Sequence, residues 1–364
     1  MENAKIDKFQ LFVLIYLFEL GSTLLIPLGI DAKNDAWLAI LLGMVGGFLL
    51  LSLYFALYQY HPDLQLTQYS IKILGKYVGW VVGFAYSVYF LYIAARVLRD
   101  FGDMLVTFAY PETPLFIINF MLIATIMYVI HKGIEVLART GEILFVLMCL
   151  LGVLGFILIC ITGLIDFNNL KPVLEEGIKP VLNVVFTETL YVPFGETIAF
   201  TMIFPYVNNH KNMKLTGYAA MAASGMVLVL TMAINIAVLG YGVTYRSQFP
   251  LLTTIQQIKI GEFLARLDIF FIIVLMIGAF FKISIFYYGA LFGFAALFNV
   301  KKISKLILPL GFIALLCSAA MARSAQEHIK IGLEYVPMFL HIPFQIIIPV
   351  LLMMTAFARK KFRK

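Results

Sequence analysis

Charge is what this sequence has least of. Only 13% of its 364 residues are Asp, Glu, Lys or Arg, about half the roughly 25% usual in soluble domains, while 62% are hydrophobic. That balance excludes a water-soluble fold. Cysteine is nearly as scarce. Cys149, Cys160 and Cys317 all fall in apolar runs without pairing or metal-ligand spacing, so they read as packing residues and not as a disulfide framework or a thiolate site. His61, His131, His210, His328 and His341 are scattered near the ends of apolar runs, again without ligand spacing. No nucleophile sits beside a base, and no phosphate-cradling loop or redox motif is present. The chain is expected to be no enzyme and to hold no metal and no cofactor. Strict apolar–polar alternation is also missing, which excludes a membrane β-barrel. No cleavable leader is expected, because the first apolar run is too long and lacks a small-residue cleavage site.

What the sequence has is length of apolar run. Ten segments are long enough to cross a bilayer or nearly so: 9–30, 37–60, 79–105, 115–130, 141–165, 181–206, 215–243, 267–299, 303–322 and 336–358. The reading is an all-α polytopic membrane protein, one transmembrane domain over 1–364. An even number of spans places both termini on one side. With the termini inside, inner segments hold sixteen of the 27 basic residues and outer segments ten, Lys282 lying within a span. The termini are therefore expected in the cytoplasm. The net charge of +7 is then topological, and no nucleic-acid partner is implied. The tail Arg359-Lys360-Lys361-Phe362-Arg363-Lys364 reads as an orientation anchor on anionic membrane lipid.

Two spans break the rules of hydrocarbon. Leu190-Tyr191-Val192-Pro193-Phe194-Gly195-Glu196 puts Pro, Gly and a carboxylate within four residues, with Glu188 shortly before. Pro193 removes a backbone donor, Gly195 weakens the helix and Glu196 is expensive in lipid. Glu19-Leu20-Gly21-Ser22-Thr23 with Pro27 breaks the first span likewise. Freed backbone survives at membrane depth only where it is buried in protein or lines a wet cavity. The first five spans and the last five have opposite topology, and each set opens on a broken span. That pattern is an inverted repeat, about 1–170 and 175–364, whose broken helices bind the ligand. It rests on hydropathy and the two breaks, not on residue identity between halves. The segment 71–80 is a short amphipathic connector, and 249–266 an outer-surface segment that is either a lid or a plain interfacial helix.

Gly21, Pro193, Gly195, Tyr92 and Lys282 converge at mid-depth. Gly21 either lets helices pack closely or opens the backbone to a ligand, and the matching break favours the ligand. Exposed N–H groups at a break attract a carboxylate and freed carbonyls attract an ammonium, so a small zwitterion such as an amino acid fits both. Glu19, Glu188, Glu196 and Lys282 are the charges well inside spans. Lys282 needs an acid, Glu19 first by depth and Glu196 second. The group is either an ion-pair or proton-linked device or a static pair fixing register. In the third span Tyr89 and Tyr92 are the aromatic residues expected to face the cavity.

With Gly21-Ser22-Thr23 and Pro27 in the first span and Pro193-Phe194-Gly195-Glu196 in the sixth, the chain resembles the amino acid–polyamine–organocation superfamily and its leucine-transporter-like fold. More closely it resembles the B subunit of spore nutrient-germinant receptors. The points of resemblance are its length, the Tyr191 to Glu196 stretch followed by Phe204-Pro205, the turn Leu74-Gly75-Lys76-Tyr77, and Arg266-Leu267-Asp268 opening the eighth span. The resemblance implies a protein of the spore's inner membrane that binds a small germinant, often an amino acid, and works with an A-type subunit and a lipoprotein C-type subunit. It maps ligand contacts to Gly21, Ser22, Thr23, Val192, Pro193, Phe194 and Gly195. Sodium-dependent relatives hold an ion between the first and eighth helices, where Lys282 stands here, so sodium independence is implied. A sodium-independent, proton-linked amino acid transporter is the competing reading, since receptor and transporter share this fold.

Overall fold

The structure, a computed structural model, describes residues 5–208, 212–258 and 268–362. His210, Lys211, 259–267 with Arg266 and Leu267, Arg363 and Lys364 lie outside them. Helices account for most of the described residues. The first helix, α1 (Lys8–Leu20), starts on a capping box: Asp7 accepts from the Gln10 N–H at 2.8 Å and Gln10 accepts from the Asp7 N–H at 3.1 Å. This satisfies two of the donors that a helix start leaves orphaned. The helix ends at Gly21, and a 3-10 turn (Ser22–Leu24) follows. Gly29, at φ +71, turns the chain toward α2 (Ala36–Tyr60), a conformation glycine adopts without strain.

The connector expected at 71–80 is made of α3 (Leu66–Leu74) and the start of α4 (Lys76–Phe108), joined at Gly75. Two further helices, α5 (Leu115–Lys132) and α6 (Ile134–Ile161), complete the first half. Much of α6 is exposed apolar side chain, including Ile143, Leu150, Val153 and Ile161, as a lipid-facing wall requires.

The sixth expected span is not one helix. A short α7 (Ile178–Val184) runs into a π-turn (Val185–Thr189), the chain turns through a cis Val192–Pro193 bond, and a 3-10 segment (Phe194–Met202) carries it on. Then come α8 (Met213–Leu239), α9 (Tyr241–Arg246), α10 (Pro250–Gln256), α11 (Asp268–Leu297) and α12 (Ser304–Ala320). The start of the 249–266 segment is thus the helix α10, with Leu251, Leu252 and Ile255 buried. The last span opens with α13 (Ala325–Lys330), continues through π-turns (Ile331–Tyr335 and Pro337–Ile347) and ends as α14 (Ile348–Phe362).

Among the described residues seven helices are long and apolar enough to cross a membrane, or eight if α12 and the helix after it, bent by 109°, count as one span. This count is lower than the ten expected segments for a clear reason. Two spans are cut by their breaks, and α12 is only 17 residues long. The core lies where α11 packs between α1, α4 and the second break, with Phe18, Phe90, Phe194, Phe281 and Phe286 fully buried there. Near the N-terminus Ile6 pairs with Val207 as an isolated bridge, Ile6 N–H donating to Tyr206 O at 2.9 Å. The start of the first span and the end of the sixth therefore meet.

Candidate functional site

α11 brings Lys282 to the first break. Its side chain is fully buried, and Nζ lies 2.6 Å from Glu196 Oε2 on the second break. The approach is off the hydrogen-bond axis, so the contact is an ion pair by distance, with Nζ also 5.5 Å from the centroid of the Phe18 ring. The first-choice pairing with Glu19 is thereby corrected to Glu196. Glu19 instead accepts from the Ser224 hydroxyl of α8. Depth along a span could not separate the two carboxylates. The direction in which each points from its break decides the pairing.

Gly21 is in contact with α11. A Cβ there would lie 2.6 Å from Lys282 Cδ, and one on Gly278 would lie 2.9 Å from Gly21 Cα. Missing side chains at both glycines let the backbones approach and let the lysine stem run past the break. Close packing is thus what Gly21 demonstrably does. Glu188 stands apart from the ion pair and accepts from the Gly29 N–H at 2.9 Å, so it closes the turn after the first break.

A cavity of about 50 Å³ opens between the two breaks. Ser22 and Ile26 wall it from the first span, Ile93, Arg96 and Asp100 from α4, Val192 and Glu196 from the second break, and Gly332, Val336 and His341 from the last span. Of the residues expected at a ligand, Ser22 and Val192 line this cavity. Ser22 and Thr23 open the 3-10 turn that follows the break, where a helix start leaves its first N–H groups short of intrahelical partners. Thr23 faces a separate small cavity against α8, and its hydroxyl has no partner among the described residues. Pro193 forms the turn. Phe194 packs away from the cavity, where a Cβ on Gly47 of α2 would meet it at 2.4 Å. Gly195 lies behind the wall: its carbonyl accepts from Tyr54 OH at 3.1 Å, and a Cβ there would meet Gln345 Oε1 at 2.1 Å.

Tyr89 and Tyr92 part company. Tyr89 is buried one layer behind the cavity, its hydroxyl 2.8 Å from His341 Nδ1 and accepting from Gln345 Nε2 at 3.0 Å. Tyr92 is only partly buried and lies beside Arg96; Ile93 takes the cavity-facing place. Four side chains at the site were not among the expected ligand contacts: Arg96, Asp100, His341 and Gln345. His341 was placed at a span end, but it is buried within the last span. Its spacing of four from Gln345 is a one-face signal that was there to be read. Among the described residues no cluster of His, Cys, Asp or Glu could hold a metal.

Comparison with known proteins fits this arrangement. The structure of Mhp1, a nucleobase-cation-symport-1 family transporter in a closed conformation with bromovinylhydantoin bound, superposes with a TM-score of 0.66 over 91% of this chain and 75% of that one. At 12% identity the likeness shows the fold alone, and that fold is the leucine-transporter-like one. Spore germination protein B2 of Bacillus subtilis (strain 168) is 22% identical over 269 residues, 74% of this chain and 72% of that protein. Spore germination protein KB of the same organism is 50% identical over 364 residues, 100% of this chain and 98% of that protein. A family model described as "Spore germination protein" matches residues 5–326. The chain therefore belongs to the spore germination protein family, the permease-like membrane proteins that include germinant-receptor B subunits.

Proposed function

We propose that this chain is the germinant-sensing membrane subunit of a spore germination receptor and that it binds a small nutrient, an amino acid, at mid-membrane between its two broken helices. The observation that carries this reading is the cavity itself. Ser22 of one break faces Val192 and Glu196 of the other across it, with the start of the 3-10 turn at Ser22 on one side and a carboxylate on the other. A zwitterion offers an acceptor to the first and a donor to the second. In this reading Gly21, Pro193 and Gly195 shape the site, while Ser22 and Val192 stand nearest the ligand and Thr23 lies next to Ser22, facing its own small cavity. Phe194, Tyr89 and Tyr92 support them from behind. The chain counts ten spans, five plus five in opposite topology (about 1–170 and 175–364). It lies in the inner membrane of the spore with both termini cytoplasmic, and works with A-type and C-type subunits. The meeting of Ile6 with Val207 supports oppositely running first and sixth spans. A reporter fused after Lys364 is expected to be active only as a cytoplasmic type; an extracytoplasmic signal there overturns the repeat.

A second reading, a sodium-independent, proton-linked amino acid transporter, is favoured by the fold shared with a symporter. One experiment separates the two: nutrient binding and uptake by the purified chain in proteoliposomes, in sodium and in potassium buffers. Equal binding in both salts without uptake supports the receptor; equal binding with uptake supports the transporter. Sodium independence is expected under either, because Lys282 supplies a positive charge against the first break. A cation about 4 Å from that ammonium meets repulsion of about 4 kcal/mol at an effective dielectric near 20. Binding that requires sodium contradicts this role for Lys282.

A further inference from the structure

Both carboxylates that line the cavity are already engaged. Glu196 is held by Lys282 at 2.6 Å, and Asp100 Oδ1 lies 2.8 Å from His328 Nε2 of α13. The cation that lines the cavity has no such partner. Arg96 is 6% exposed, yet among the described residues no carboxylate oxygen comes within 4.0 Å of it. Arg99, on the same helix, shows the ordinary solution: it is bound to Asp103 at 2.8 Å. Arg96 Nη2 donates to the main-chain carbonyl of His328 at 2.7 Å, and Nη1 reaches Tyr92 OH only at 3.5 Å. A guanidinium has five N–H donors in a fixed fork, so most of its capacity stays unspent. Burying an ion without an acid to balance it is costly unless something else balances it.

Space has been kept for this group. A Cβ on Gly332 of the last span would fall 2.4 Å from Arg96 Nη2, so the absent side chain lets the guanidinium lie against that backbone at the cavity wall. Ser22, at the start of the 3-10 turn, stands on the same cavity. The geometry points to Arg96 as the specificity-determining residue of the site, the group that takes the anionic end of the ligand and so selects a carboxylate-bearing nutrient over an uncharged one. This rests on the reading of the cavity as the ligand site. Arg is the side chain suited to the task, because its fork matches the two oxygens of a carboxylate.

The test uses the full-length chain in nanodiscs and compares each standard L-amino acid with its own carboxamide, alongside D-glucose and inosine as uncharged nutrients. Binding is read by calorimetry and thermal shift. At least one acid is expected to bind wild type about tenfold to a hundredfold more tightly than its amide. Arg96→Gln is expected to bring that acid down to the level of the amide, and Arg96→Lys to restore part of the difference. Gly332→Ala, which displaces the guanidinium without changing any charge, is expected to weaken the acid selectively. A panel in which no acid binds wild type better than Arg96→Gln, or in which acid and amide bind alike, overturns the assignment. An uncharged compound that binds wild type and Arg96→Gln equally but is lost in Gly195→Leu removes Arg96 and leaves the site standing. Binding that ignores both Gly195→Leu and Val192→Trp removes the site itself.

Discussion

Lys282→Met is expected to lower stability by about 3–5 kcal/mol, because it leaves Glu196 buried without its counter-charge. The lysine is fully buried and its Nζ has one carboxylate at 2.6 Å, so no solvent reaches in to compensate. The partner is specific, which makes the double variants decisive. Glu196→Gln added to Lys282→Met is expected to recover most of the loss, since replacing both members of a buried pair is often near neutral. Glu19→Gln added instead is expected to recover little, because Glu19 is held by Ser224. Denaturation midpoints of the four proteins in detergent give the comparison. Rescue by Glu19→Gln, or a Lys282→Met protein as stable as wild type, would show that the lysine only packs.

Gly195→Leu is expected to abolish nutrient binding while leaving membrane insertion intact. Its Cβ would lie 2.1 Å from Gln345 Oε1, so that amide must move. Gln345 Nε2 reaches Tyr89 OH and His341 Nδ1, each at 3.0 Å, and Tyr89 OH lies 2.8 Å from His341 Nδ1. The triangle ties α4 to the last span, and His341 is part of the cavity wall. Overpacking of a tight core typically costs about 1–3 kcal/mol, which displaces this wall without unfolding the chain. Binding is expected to fall at least about tenfold, the equivalent of 1.4 kcal/mol. Gly152→Leu, where a Cβ meets open space, serves as the control and is expected to bind normally. Unchanged affinity in Gly195→Leu removes the second break from the site.

The breaks were legible because hydrocarbon tolerates so little. Pro193, Gly195 and Glu196 inside one apolar run, and Gly21 with Pro27 inside another, have no place in a plain spanning helix, and the chain does turn at both. Lys282 was legible for the same reason. Its partner was not. Glu19 and Glu196 lie at similar depth, and only the packing of α11 against both breaks decides between them. The small-residue role of Gly21 and Gly278 was also out of reach, since a close backbone approach leaves no mark on hydropathy. Arg96 was legible as a charge, but counting it toward topology hid its burial. The ten segments include α12, which at 17 residues is too short to count as a spanning helix by itself, and the two spans whose breaks are the very signal that revealed them.

The nutrient is expected to sit between the two breaks. This placement is tested most directly by locating the nutrient in an electron-microscopy map of the full-length protein, saturated with a compound that a binding screen has shown to bind. Ligand density is expected in contact with Ser22 and Val192, one end toward Arg96 and the other toward Glu196. Density at the protein surface, or in a partner subunit with this cavity empty, contradicts it.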